Sequence, residues 1–564
     1  MKTKVFWIDQ ICINQEGEEK NGQVSMMGDI YRHAERVITY LGPAAADEDE
    51  EKRGVELLNR LHAHFTPNYD FIFRANGMSS AWFQYPNLPV VTLPEDLRDK
   101  ANYNEANYAA FEWRWLLHVA YGEWTRRLWI VQEQCLNRDV VMLHGTTLLS
   151  WDAVATLPLL FSLELLPKPY ANLYERRNLS GADLTLIEID KSVYHIWHAR
   201  KLQRQTQKAK PVHDLLLNMD LHQSLQCWDL RDRIYALLAI SKDADILGIV
   251  PNYSAPPRQV FLEVSVRILQ SSQHLRPLAY SVRWARITDE SEKLSSMSAS
   301  ECISTLPSWA LRPAPRPDPQ IIVFNRCKPH PRLTINNRPS NFRLDQSILI
   351  VKGRGLDSIT MPTPVVLTLP LSDLTIDTSH LIKYSRIMLH WRAVLLHLGM
   401  TSANVAGLCR VITGTPGWAP ICRKGRSADE SATFEFVSTC RRWVRIHNLH
   451  YLSVTSEVEA LLKQCTSFVQ ELVKTFSDDE PRDDVFDANA PLTKEELDAS
   501  NNLILLALTQ GRSFCVTESG RVCNAMHEPK KGDLIAAFQG ADRLFILRPV
   551  GERFRLVGEA YVDG

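Results

Sequence analysis

The stretch from Val5 to Gln15, VFWIDQICINQ, together with Gln23 to Pro43, QVSMMGDIYRHAERVITYLGP, decides the fold class. Val5–Ile8 is an apolar run of the length a buried strand takes. Asp9, Asn14 and Gln15 bring turn-prone polar groups to its carboxyl end. Val24, Met27, Ile30, Tyr31 and Ala34 recur at three- and four-residue intervals, which lines one face of a helix. Val37, Ile38, Tyr40 and Leu41 read as a second strand, stopped by Gly42-Pro43. Strand, helix, strand in this order belongs to a parallel sheet. Little sequence precedes Val5, so the sheet is expected to be incomplete at its N-terminal side.

Outward from that unit, Asp47 to Glu51 is an acidic run suited to a solvated loop or the first turn of a helix. Val55, Leu57, Leu58, Leu61 and Phe65 then keep helical spacing, and about 66–105 reads as an insertion rich in Pro, Asn and isolated aromatics. Phe111 to His118 is a helix with an aromatic face. Tyr121 to Trp151 reads as a helix through Cys135, a strand at Val140 to Leu143 and a turn at Gly145. This gives a first domain over 1–155, a helical region over 156–312, an irregular linker over 313–346 and a mixed, mostly helical region over 347–477. An acidic linker and a small β-rich module fill 478–564. The module's strands are RSFCVT, GDLIAAFQG, RLFILRP and RFRLVGEAYV, each bounded by Gly, Asp or Pro.

Composition narrows the function classes. The chain has 564 residues, so more than one core is expected. Its formal net charge is −1, which gives no global field to attract nucleic acid or an anionic membrane. Basic clusters at Arg200–Lys210 and Arg441–Arg445 read as solvated helix faces. Eleven Cys are scattered with no CxxC pair, so no structural zinc and no metal site is expected. No phosphate-binding loop and no GxSxG elbow occurs. His195, His198, His447 and His450 lack companion ligands. The greasiest stretch, Val154 to Leu166, is too short to span a bilayer, and no signal peptide is evident. A cytoplasmic location follows.

Four groups of residues can carry chemistry. Trp129 and Glu133, four apart, share a helix face. A carboxylate beside an indole is partly desolvated, so its pKa rises, which suits a general acid or base or a group that orients a ribose hydroxyl. The competing role for Glu133 is an ion pair with Arg126 or Arg127 that supports the Trp packing. Asp9, with Asn14 and Gln15, either contacts a polar ligand at a strand end or holds a tight turn. Arg127 either neutralises a phosphate or braces the structure. Arg231 and Asp232 read as structural, capping a helix and clamping another element.

The residues Trp7-Ile8-Asp9, Ile11-Cys12-Ile13-Asn14-Gln15, Gln23, Val24, Met27, Ile30, Tyr31, Ala34, Val37, Leu41 and Gly42 resemble the signature of the fungal heterokaryon-incompatibility (HET) domain. Trp124, Arg127, Trp129, Gln132, Glu133, Gly145 and Trp151 resemble a second block of that family. Asp229 to Ile240, Pro251 to Ser254 and Leu306 to Trp309 resemble later elements, with Leu230, Ala239 and Asn252 departing from the usual residues. The resemblance implies a TIR-like, flavodoxin-like parallel sheet lacking its first strand, then a helical region and a β-rich C-terminal module. It implies non-self recognition and programmed cell death, with a protein partner from the incompatibility system and a second copy of the chain as a further candidate partner. Many TIR domains hydrolyse NAD with a Glu in a similar W-x-x-x-E spacing, so the resemblance makes Glu133 the catalytic candidate and NAD a substrate, with no cofactor required. A non-catalytic interaction module and an inactive paralogue are the other readings.

Overall fold

A computed structural model describes residues 5–14, 19–44, 48–68, 111–120, 122–156, parts of 193–203, 210–220, 225–272, 274–278, 306–311, 342–363, 376–413, parts of 427–444, 456–476, 513–525 and 529–563. The chain divides into two compact units, the first holding Met1–Ser271 and the second most of the chain from Ser272 onward.

In the first unit the Val5–Ile8 run forms no strand. It is extended backbone that enters a single helical turn, α1 (Asp9–Cys12), and Val5, Phe6, Ile8 and Ile11 are exposed. The expected β-α-β unit is therefore only its second half here: α2 (Glu19–His33) followed by β1 (Val37–Gly42). The physical reason is that β-propensity is expressed through pairing, and among the described residues no strand pairs with Val5–Ile8. α2 buries Val24, Met27 and Tyr31, three residues of the expected stripe.

After α3 (Glu48–Phe65) and α4 (Phe111–Ala120), a 3-10 turn at Glu123–Arg126 leads into α5 (Ile130–Leu136), β2 (Val140–His144), β3 (Thr147–Ser150) and α6 (Trp151–Val154). The sheet has the order β1-β2-β3, with β1 parallel to β2 and β3 antiparallel to it. Gly145, at φ +55°, turns the chain between β2 and β3, where Ala44 comes too close for a Cβ. One face of the sheet is packed: Val37, Thr39, Val140, Met142 and Leu149 are buried, and Gln134 of α5 donates to the Thr39 hydroxyl at 2.6 Å. On the other face two rows run across the strands, Ile38–Val141–Ser150 and Tyr40–Leu143–Leu148, and Ile38, Tyr40 and Leu148 are exposed.

α7 (Val212–Asp220), α8 (Asp232–Leu238), α9 (Ala244–Leu247) and α10 (Pro257–Ser272) follow. α8 is buried along its whole length. Gly28 of α2 meets Ala239 so closely that a Cβ there would lie 2.4 Å from the Ala239 methyl. Arg32 donates to the Ala239 carbonyl at 2.6 Å.

The second unit contains a closed, antiparallel six-stranded barrel in the order β10-β11-β8-β7-β6-β9. Five of its strands are β7 (Ser513–Thr517), β8 (Val522–Ala525), β9 (Leu534–Phe538), β10 (Leu544–Val550) and β11 (Arg553–Val562). The sixth, β6 (Gly353–Pro362), comes from far upstream, and it closes the cylinder by pairing with both β7 and β9. A two-stranded hairpin, β4 (Phe342–Asp345) with β5 (Ile348–Val351), precedes it. Ile359, Cys515, Cys523, Ile535, Ile546 and Ala560 are among the residues that fill one barrel core. The alternate side chains Phe514, Val516, Val522 and Tyr561 face a second core. That core is built by α11 (Ile376–Leu398), α12 (Ser402–Thr413) and α13 (Ser456–Phe476). The period-two alternation thus gives each strand an inner and an outer apolar face.

The expectation of a mixed α/β chain with a parallel pair near its N-terminus and a β-rich C-terminal module holds. The insertion over about 66–105 opens with a 3-10 turn at Thr66–Asn68, and the rest of it, the four singled-out His and the acidic stretch from Asp478 lie outside the described residues, as does most of Val154–Leu166. Arg200, at the edge of a cluster read as a solvated face, is instead buried.

Candidate functional site

Two segments far apart in sequence lie side by side in the first unit. Arg127 pairs with Gln226 in a parallel bridge, and the Leu128 amide donates to the Gln226 carbonyl at 2.9 Å. One turn later Gln132 donates to the Ala236 carbonyl at 3.1 Å, so α5 and α8 are tied along their length. Arg200 donates to the carbonyls of Gln134 and Asn137, placing a cation at the carboxyl end of α5 where the helix dipole favours one.

Glu133 is buried on α5, with its side chain 10% exposed. Burial pushes its carboxyl up to about 7; Arg127 opposes that rise and Asp9 adds to it. The Arg127 guanidinium stands between two carboxylates: its Nη2 is 3.2 Å from Asp9 and 3.9 Å from Glu133. Arg127 is half-exposed, so solvent and a ligand reach it. Tyr31 of α2 completes the group. Its phenol is held far above its usual pKa by burial and by the charges of Glu133 and Asp9. Trp7 meets Tyr31 edge-on, with ring centroids 5.8 Å apart.

A second set of groups backs the first. Tyr253 donates its hydroxyl to the Asp232 carboxylate, and the Trp129 indole lies close enough to stabilise the same charge. Burial raises Asp232, and these two groups partly offset the rise. Neither Arg231 nor Asp232 caps α8 through its side chain. Arg231 clamps instead: it binds Asp229 through Nε at 2.8 Å and Nη2 at 2.6 Å, and its Nη1 reaches the carbonyls of Tyr253 and Ala255. Burial pushes Asp229 up, but the Arg231 hydrogen bonds outweigh it and the net shift is downward. Lys20 lies over the Tyr253 ring at 4.2 Å.

The structure thus brings together Asp9, Arg127 and Glu133. Trp129 and Glu133 sit on one helix, but the indole lies beside Asp232. Asn14 is exposed, and Gln15 lies outside the described residues. Sequence reading placed Tyr31 in the helix core and missed its position beside Glu133; its place on the same stripe as Met27 gave that only in hindsight. Tyr253 lies in the Pro251–Ser254 element marked by the family resemblance, which assigned it no role. A separate buried set joins Glu51 to His144 at 3.5 Å and to the Thr147 hydroxyl at 2.5 Å. Among the described residues no group of three or more His, Cys, Asp or Glu is arranged to hold a metal ion, and no helix is long and apolar enough to cross a membrane.

Comparison with known proteins matches both ends of the chain. Residues 1–133 match the heterokaryon incompatibility protein (HET) family, and residues 440–564 match the Het-6 beta-barrel domain. Both matches, with the relative below, support a fungal protein that carries a HET domain. The chain is similar to heterokaryon incompatibility protein 6, OR allele, of Neurospora crassa, with 28% identity over 313 residues. That alignment takes in 54% of this chain and 44% of the relative, so it spans less than half of the relative's length. No solved structure matches.

Proposed function

We propose that the chain acts in fungal non-self recognition leading to cell death, and that its first unit hydrolyses the nicotinamide–ribose bond of NAD at Glu133. One observation carries this reading: a buried carboxyl poised near neutral pH beside a half-exposed guanidinium. Groups tuned in this way by burial and neighbouring charges concentrate at reactive sites. In the reaction water adds to the anomeric carbon, nicotinamide leaves with the bonding pair, and the water's proton is released. Glu133, as a carboxylate, orients the ribose hydroxyls or accepts that proton. Arg127 neutralises a phosphate of the dinucleotide. No metal or cofactor is needed for this step. The protein acts in the cytoplasm, alongside an unidentified protein of the incompatibility system.

A second reading, a non-catalytic interaction module, is favoured by the edge of β1, unpaired among the described residues, and by the exposed Ile38, Tyr40 and Leu148. The two separate in one assay. Purified chain incubated with NAD is expected to release nicotinamide, and Glu133→Gln is expected to abolish the release. No release from the unsubstituted chain would leave the interaction module.

A further inference from the structure

Trp228 is fully exposed, the most open large apolar side chain described. Tryptophan is seldom left in this state, because its indole carries a large apolar surface that folding normally covers. Its position gives the exposure a meaning. Gln226 pairs with Arg127, and the following hydrogen bond from Leu128 runs the two segments in the same direction. Trp228 stands two residues beyond Gln226, where the chain bends. Among the described residues, both contacts of the Arg127 guanidinium come from Nη2 alone, which leaves Nε and Nη1 to receive an anion. An exposed indole and a half-engaged guanidinium are therefore carried on the two segments that this bridge joins, with Glu133 six residues beyond Arg127.

We infer that these two side chains bind a nucleotide, with Arg127 holding the phosphate and Trp228 stacking on the base; the inference rests on Glu133 marking a ligand site. A flat aromatic ring joined to an anionic group satisfies both features at once, whereas a free phosphate uses only Arg127. Stacking on an exposed aromatic is sequence-tolerant, so either an adenine or a nicotinamide ring fits the chemistry.

The full chain is titrated calorimetrically with AMP, nicotinamide mononucleotide, adenosine and inorganic phosphate. At least one mononucleotide is expected to bind about tenfold or more tighter than phosphate, and the stronger of the two identifies the ring that Trp228 takes. Trp228→Ala should weaken that mononucleotide about five- to 100-fold, the range a lost base stack gives. Phosphate binding should stay within about twofold, since Trp228 stacks only on the base. Trp228→Phe, which keeps an aromatic face, should recover most of the loss. Because residue 228 packs against nothing, the melting temperature of all three proteins should agree. Mononucleotides no tighter than phosphate, or a Trp228→Ala chain that binds them normally, would overturn the inference. So would a Phe variant as weak as the Ala variant. Neither mononucleotide contains the full NAD substrate. Binding without nicotinamide release would therefore remove the hydrolase reading and keep this site, and release without Trp228-dependent binding would do the reverse.

Discussion

At Glu133 burial and charge oppose each other on one carboxyl. Burial favours the neutral acid, Arg127 favours the carboxylate, and the result is a group near 7 instead of the ordinary 4.5. The folded carboxyl holds its proton more tightly than the unfolded one. Its stabilising contribution is therefore complete below 4.5 and is lost as pH rises to about 7. The difference is on the order of 3 kcal/mol. Glu133→Gln, isosteric and uncharged, should be more stable than the unsubstituted chain at pH 8 and close to it at pH 4. Thermal melts at the two pH values check this, and equal offsets at both would contradict it. Arg127→Gln removes the charge that pulls Glu133 down. The pH midpoint of nicotinamide release should then move upward, and an unmoved midpoint would show that Arg127 does not act on Glu133. Glu133 and Arg127 were readable from residue type and spacing. Tyr31 was not, because a tyrosine on an apolar helical stripe carries no mark of what its hydroxyl will meet.

Among the elements, α2 meets the end of α8 with no room for another methyl. Gly28→Ala drives a methyl into Ala239 and should destabilise that unit by about 1–3 kcal/mol. Combining it with Ala239→Gly removes the clash and should return much of the loss. A double variant no better than the single one would place the strain elsewhere. The sheet makes the same point about faces. Met142, fully buried, should cost about 2–4 kcal/mol on truncation to Ala, whereas Ile38→Ser on the open face should cost little. Chemical denaturation compares the two. Local pattern revealed α2, β1, α5 and β2 because each buries a stripe of its own residues. Val5–Ile8 has the pattern of a strand but, among the described residues, no partner to pair with, and pairing is what a single run of sequence does not contain. β6 shows the converse. The place of Gly353–Pro362 in a barrel with the strands from Ser513 onward depends on contacts across a long span of intervening sequence.

For the whole molecule, two units imply two cooperative transitions in calorimetry. Arg410 ties α12 to the end of the barrel through Asp563 at 2.7 Å and reaches Asp429 at 3.0 Å. Arg410→Met should lower the transition of the second unit by about 1–3 kcal/mol and leave the other in place. Gly28→Ala should do the opposite, and a single merged transition that responds to both would deny the division. The central claim is that a HET-domain unit performs chemistry at Glu133. Its most direct test is the time course of nicotinamide release from NAD by the full chain, beside Glu133→Gln and at pH 6 and 8. Release that is faster at pH 8 and absent in the Gln variant is the expected result. Equal release from both proteins would contradict the role of Glu133, and no release from either would contradict the claim itself.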